Sequence, residues 1–65
     1  MFSKLNGRIH EVYGTQKGLA ESIGVTPSYL SKRLKGKVPF TVKDIHAICK
    51  DLDIPINSIG DYFFN

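Results

Sequence analysis

Apolar residues recur at intervals of three and four along most of the chain, which is the spacing of one face of an α-helix. The first such run predicts a helix from about Lys4 to Tyr13, with Ser3 as its N-cap and Gly14 where a helix usually ends. Its predicted inner face holds Phe2, Leu5, Ile9 and Val12. No segment sustains the apolar and polar alternation of a strand. The pattern therefore predicts an all-α fold, a compact bundle of about five short helices.

The second and third predicted helices have clear start and stop signals. Thr15 is placed to cap the second helix, and Gly24 closes it about nine residues later. Thr26 caps the third helix and Pro27 takes its first position, where the missing proline N–H is not needed. The predicted inner residues are Leu19, Ala20 and Ile23 in the second helix, and Leu30 and Leu34 in the third.

The fourth helix is predicted to begin at Thr41, which with Asp44 resembles a capping box that has Asp in place of the usual Glu. Phe40 and Ile45 are placed to form a hydrophobic staple across this start. Pro55 ends the helical pattern. The predicted buried stripe of the fourth helix is Val42, Ile45, Ile48, Cys49 and Leu52, and that of a short fifth helix is Ile56, Ile59 and Phe63.

The composition is that of one small folded domain spanning residues 1–65, with 42% hydrophobic and 23% charged residues. Cys49, the single cysteine, is expected in the core, and neither it nor His10 or His46 has partners at metal-ligand spacing. We expect no disulfide, no metal, no cofactor and a cytoplasmic location. The sequence also shows no membrane span, which needs roughly 20 apolar residues. No arrangement of residues indicates catalysis or a small-molecule substrate, so we expect no enzyme.

The net charge of +3 is divided unevenly along the chain. Residues 1–43 carry eight Lys or Arg against two Glu, a net charge of +6. Residues 44–65 carry Lys50 against four Asp, a net charge of −3. The first part is therefore suited to an anionic partner, and the second part would be repelled by one.

Several residues around the link between the second and third helices are spaced as in a known family. Gln16, Ala20, Gly24, Val25 and Leu30 occur at intervals that resemble the phage repressor and Cro family of lambda-repressor-like DNA-binding domains. The resemblance extends through both downstream helices and covers nearly the whole chain. It implies that helices 2 and 3 form a helix-turn-helix, in a short Cro-like regulator of a phage lysogeny switch within the bacterial cytoplasm.

One position departs from the family pattern. Many relatives have an apolar residue three positions after Leu30, where this chain has Arg33 and the apolar residue follows as Leu34. The departure predicts a slight rotation of the third helix. At about 100° per residue, Ser28, Lys32 and Lys35 fall on its outer face and Ser31 lies nearer the side.

The resemblance and the helical wheel together suggest DNA contacts. The family's base-reading positions map onto Pro27, Ser28 and Lys32, with Ser31 beside them, and Lys32 is the strongest candidate because it can donate to guanine O6 and N7. Gln16 maps onto a position that holds a phosphate or supports the reading helix. The remaining predicted phosphate contacts are Lys17, Lys35 and Lys37.

The expected function is therefore that of a Cro-like repressor, which binds a palindromic double-stranded operator through its third helix. Tyr62, Phe63 and Phe64 are candidates for a homodimer contact, although covering the thin core is another use for them. An alternative function is that of an antirepressor, whose helix-turn-helix surface binds a partner repressor protein. Pro27, Ser28 and Ser31 would suit that use because they are modest base readers.

Overall fold

The computed structural model describes residues 1–64, and this part of the chain folds into five α-helices with no strand. A single turn of 3-10 helix at Ile56–Ser58 leads directly into the last helix. The α-helices are α1 Ser3–Tyr13, α2 Gln16–Ile23, α3 Pro27–Leu34, α4 Val42–Leu52 and α5 Ile59–Phe63. The prediction of an all-α bundle of about five short helices is confirmed.

Three threonines cap helices as the sequence predicts. The Oγ1 atoms of Thr15 and Thr26 accept the N–H groups of Gly18 and Tyr29, at 3.2 and 3.1 Å. Thr41 accepts the Asp44 N–H at 3.0 Å, and the Asp44 carboxylate accepts the Thr41 N–H at 3.0 Å, which completes the capping box. Each cap contributes about 1 kcal/mol to helix stability.

The start of α1 differs from the prediction. Ser3 does not cap this helix but lies inside it, and Phe2 is the N-cap residue with a left-handed backbone at φ 57°. The Phe2 ring packs edge-on against Phe40, and Phe40 packs in the same way against Phe63, both with ring centroids 5.3 Å apart. These ring contacts place Phe2, the residue before the helix, against segments far away in the chain, which a local capping rule does not consider.

The buried core contains most of the residues that helical spacing predicts, and one that it does not. Ile54, which follows α4, is buried although it belongs to no predicted stripe. The other core residues are Leu5, Ile9, Leu19, Ala20, Leu30, Leu34, Ile48, Leu52 and Phe63.

Three residues assigned to inner faces are exposed instead. Val12 is exposed because Tyr13, four residues after Ile9, takes the inner position at the end of α1. Val42 is 72% exposed because it lies about 100° from the middle of the stripe formed by Ile48 and Leu52. Ile56 sits on the 3-10 turn and is also exposed.

Helix α2 is central to the packing, since it contacts α1, α3 and α4, while α5 packs on α1. Only Gly24, Val25 and the cap Thr26 join α2 to α3. Gly24 has a φ of 79°, and the Val25 N–H returns to the Ala20 carbonyl at 2.9 Å, which reverses the chain tightly. This connection is compatible with a helix-turn-helix.

Candidate nucleic-acid interface

The inner face of α3 is held in the core by two leucines. Leu30 is 1% exposed and Leu34 is 4% exposed, as the helical wheel predicts. The opposite side presents Ser28, Lys32 and Lys35, all of them exposed. Pro27 is also exposed, whereas Ser31 is half-buried at the side of the helix. Three of the four predicted base readers are thus accessible, and the fourth is only partly so.

The turn after α3 carries two predicted phosphate contacts, Lys35 and Lys37, on either side of Gly36. Gly36 has a φ of 77°, and its N–H donates to the Arg33 carbonyl at 3.0 Å. The Lys37 N–H donates to the Lys32 carbonyl at 2.9 Å. The turn therefore folds back on the end of α3. It keeps three exposed lysines close together in the chain, Lys32, Lys35 and Lys37.

The other predicted phosphate contacts lie at the start of α2. Gln16 and Lys17 are its first two residues and both are exposed. The Gln16 amide nitrogen donates to the Asn6 side-chain oxygen at 3.1 Å, so α1 helps to position it. The first N–H groups of a helix have no partner within the helix and carry partial positive charge, which favours a phosphate at this end.

The segment of sequence that contains α3 carries charge of one sign. Residues 22–43 include Lys32, Arg33, Lys35, Lys37 and Lys43, and no Asp or Glu. A surface of this kind attracts a polyanion over distances of about 8 to 10 Å at physiological salt.

Arg33 belongs to this basic run by sequence but points inward in the structure. Its Nε donates to Oδ2 of Asp44 at 3.3 Å, and its Nη1 donates to the Tyr29 carbonyl at 3.1 Å. The guanidinium carbon also lies 3.4 Å from the centre of the Tyr29 ring, and the Tyr29 hydroxyl donates to Oδ1 of Asp44 at 2.8 Å. We call Tyr29, Arg33 and Asp44 the α3–α4 polar cluster.

Sequence reasoning missed this cluster, although a signal for it existed. Asp44 lies about 60° from the middle of the α4 stripe and Arg33 about 80° from that of α3, so both flank buried faces. Burial alone would raise the pKa of Asp44, but hydrogen bonds from Thr41 and Tyr29, together with the positive charge of Arg33, lower that pKa below its usual value.

A second polar group joins three helices on another side of the bundle. The carboxylate of Asp51 on α4 accepts hydrogen bonds from Tyr13 at the end of α1 and from Ser22 on α2. The hydrogen bond to Asp51 raises the pKa of the Tyr13 hydroxyl. Arg8 adds a nearby link, because its Nε donates to the Leu52 carbonyl at 2.9 Å. These contacts hold the bundle together.

The aromatic tail is divided between core and surface. Phe63 is 5% exposed and belongs to the core, as the buried stripe predicted for the fifth helix has it, so its ring is not free for a dimer contact. Tyr62 is half-buried beneath Lys4, whose ammonium lies 4.9 Å from the ring centre, and Lys4 also pairs with Asp61 at 3.8 Å. Phe64 is 72% exposed and is the most accessible of the three candidates.

The remaining candidates for chemistry are Cys49 and the two histidines. Cys49 is half-buried, and burial raises the pKa of its thiol, which disfavours the reactive thiolate. Within residues 1–64, no three His, Cys, Asp or Glu side chains are grouped to hold a metal ion. No helix in the same residues is long and apolar enough to cross a membrane.

No curated protein is detectably similar in sequence to this chain. A family model does match it, over residues 1–65, and that family is described as a protein of unknown function, DUF739. The chain belongs to the DUF739 family.

Proposed function

We propose that this protein is a sequence-specific DNA-binding transcriptional regulator, which inserts α3 into the major groove of its operator. The main support is the arrangement of α3, whose leucines are buried while Ser28 and Lys32 face outward. The surrounding residues 22–43 contain no acidic side chain. The major groove accepts a helix of this kind and displays distinguishable base edges.

The proposed contacts divide into base readers and phosphate anchors. Lys32 is proposed to donate to guanine, Ser28 and Ser31 to bond base edges with weak discrimination, and Pro27 to touch a thymine methyl group. The anchors would be Gln16, Lys17, Lys35 and Lys37, which position α3 without reading sequence. Binding to an operator in this way would block RNA polymerase. It would also place the protein in the bacterial cytoplasm, where the DNA is.

We further propose that two copies bind a palindromic operator. A single small module would bind weakly, and two-fold proteins of this type contact half-sites roughly 34 Å apart. The exposed ring of Phe64 and the half-buried ring of Tyr62 offer apolar surface for the contact. A solution mass measured with and without selected DNA would reveal a dimer, and a 1:1 complex on a palindromic site would contradict it.

The DNA proposal can be tested by selecting binding sites from a random duplex library and measuring affinities by fluorescence anisotropy. Lys32→Ala should relax preference at one base pair by about 1–3 kcal/mol, because a base contact is lost. Lys35→Ala should weaken binding about equally on all sequences. Lys50→Ala is the matched control, since Lys50 is an exposed lysine at the end of α4.

Two results would contradict the proposal. If no sequence is enriched in the selection even at low salt, operator binding is wrong. If sequence enrichment occurs but Lys32→Ala and Lys35→Ala lose the same affinity on every sequence, Lys32 is not a base reader.

A second function, antirepression through a partner repressor protein, is supported by the inward orientation of Arg33. Arginine is the strongest base reader available on α3, and here it is engaged by Asp44 and Tyr29. The outer face is left with Lys32 and small side chains, which could pack against a protein. The test mixes the protein with a purified repressor encoded beside its gene. This function would be favoured if the two form a stoichiometric complex, if Lys32→Ala weakens that complex, and if the protein fails to bind DNA.

A further inference from the structure

The α3–α4 polar cluster lies on the side of α3 next to the proposed base-reading face. At about 100° per residue, Tyr29 falls about 60° from Lys32 around the helix, and Arg33 falls about 100° from it. The cluster is well shielded, with side-chain exposures of 13% for Arg33 and 10% for Asp44. It therefore holds the edge of α3 that borders the outer face.

The two kinds of contact that hold α3 restrain it differently. Burial of Leu30 and Leu34 keeps the helix against the bundle, but hydrophobic contact is not directional. Hydrogen bonds weaken steeply as their angle departs from linearity, so they resist rotation of α3 about its own axis. Two hydrogen bonds cross from α3 to Asp44 on α4, one from the Tyr29 hydroxyl and one from Arg33 Nε. A third, from Arg33 Nη1 to the Tyr29 carbonyl, lies within α3 and orients the guanidinium for its bond to Asp44.

Small rotations of α3 would matter for reading DNA. With side chains reaching about 5–6 Å from the helix axis, a rotation of about 10° moves their tips by roughly 1 Å. Hydrogen bonds tolerate about 0.5 Å in distance. A lysine placed for one base edge would therefore lose its contact if α3 were free to rotate by this amount.

Net stability is a weaker explanation for the cluster. A buried ion pair gains little over a well-packed apolar pair, because both charges must leave water. Asp44 also closes the capping box with Thr41, so its carboxylate connects the start of α4 to α3. The cluster thus fixes the rotation of α3 about its own axis relative to the start of α4.

We propose that Tyr29, Arg33 and Asp44 are positioning residues that set the rotation of α3 and thereby determine how well the protein distinguishes its operator from other DNA. This inference rests on the proposed DNA-binding function. The cluster does not touch the bases; it acts through Lys32 and Ser28.

The test measures the ratio of affinities for the selected operator and for a scrambled duplex, with Arg33→Gln, Asp44→Asn and the control Lys50→Gln. Arg33→Gln removes a positive charge and Asp44→Asn removes a negative one, so their general affinities for DNA should change in opposite directions. We nevertheless expect both to lower the ratio by about tenfold, within the range that one base contact supplies. Lys50→Gln should leave the ratio unchanged.

Folding is checked by circular dichroism under the binding conditions. Tyr29→Phe removes only the hydroxyl and should still lower the affinity ratio several-fold. This variant provides the test if the charge variants unfold. If these folded variants keep the wild-type ratio, or if the two charge variants shift it in opposite directions, the positioning role is wrong. If the wild-type protein enriches no sequence at all, the proposed function itself fails, and that outcome is distinct.

Discussion

At the scale of single residues, Asp44 shows how a carboxylate can be buried in so small a core. It is 8% exposed, and its two oxygens accept hydrogen bonds from Tyr29, Arg33 and the Thr41 N–H. These donors stabilise the charged form more than burial destabilises it, so the pKa of Asp44 is lowered. The residue acts as a helix cap and as one half of an ion pair at the same time.

Acid should therefore weaken the protein partly through Asp44. Because its pKa is lower in the folded state than the unfolded value of about 3.9, its stabilisation is complete above about pH 5 and is lost as the pH falls through the unfolded and then the folded pKa. Asp44→Asn should reduce the unfolding free energy at pH 7 by about 1–3 kcal/mol and make its decline between about pH 5 and 2 shallower.

Urea unfolding at a series of pH values would measure this effect. Asp53→Asn is the control, because Asp53 is exposed and its left-handed backbone, at φ 55°, also suits asparagine. An equal change of pH dependence in both variants would contradict the role assigned to Asp44.

At the scale of helices, Gly18 in α2 illustrates a conflict between propensity and packing. Glycine weakens a helix interior by about 1 kcal/mol relative to alanine. A Cβ at this position would, however, lie 2.9 Å from the Cβ of Tyr13 at the end of α1. The glycine lets the two helices approach closely, and Tyr13 can then reach Asp51.

Gly18→Ala should consequently lose about 1 kcal/mol of unfolding free energy, because overpacking outweighs the gain in helix propensity. Gly7→Ala is a matched control in α1, where a Cβ meets nothing within 4 Å, and it should gain about 0.5–1 kcal/mol. Chemical denaturation followed by circular dichroism would compare them. Stabilisation of both variants would show that Tyr13 can move aside at little cost.

At the scale of the whole molecule, the uneven charge has two different uses. Of the four acidic residues after position 43, Asp44 and Asp51 accept hydrogen bonds from side chains of other helices. Much of the negative charge therefore holds the bundle together. The lysines of α3 and of the turn after it remain exposed, where they are available to an external anion.

If three to five phosphates are contacted, a plot of log affinity against log salt concentration should have a slope of about −2.7 to −4.5. Lys35→Ala and Lys37→Ala should each make the slope shallower by about 0.9, because one contact is lost in each case. Lys50→Ala should leave it unchanged. Anisotropy titrations between about 50 and 300 mM salt would test this prediction. A slope near zero would exclude phosphate-driven binding.

Local signals were enough to predict the helices and most of the core. Thr15, Thr26 and Thr41 each accept the N–H group of the residue three positions later, and the leucines of α3 follow the helical period. Signals of this range can be read directly from neighbouring residues. They failed at Ser3 and Val12, where packing between helices overrides the local pattern.

The candidate site was only partly predictable for the same reason. Exposure of Lys32 and Ser28 follows from the wheel of one helix, since Leu30 and Leu34 define its buried side. The inward orientation of Arg33 could not be read in this way, because it depends on how α4 packs beside α3.

By itself, the sequence determined the all-helical fold, the three threonine caps, the buried leucines and the basic surface of α3, because each depends on residues within one or two helical turns. Only the tertiary structure decided that Arg33 pairs with Asp44 and that Asp51 joins three helices. Those outcomes require groups 11 to 38 residues apart in the chain to meet, which depends on helix packing rather than on local spacing.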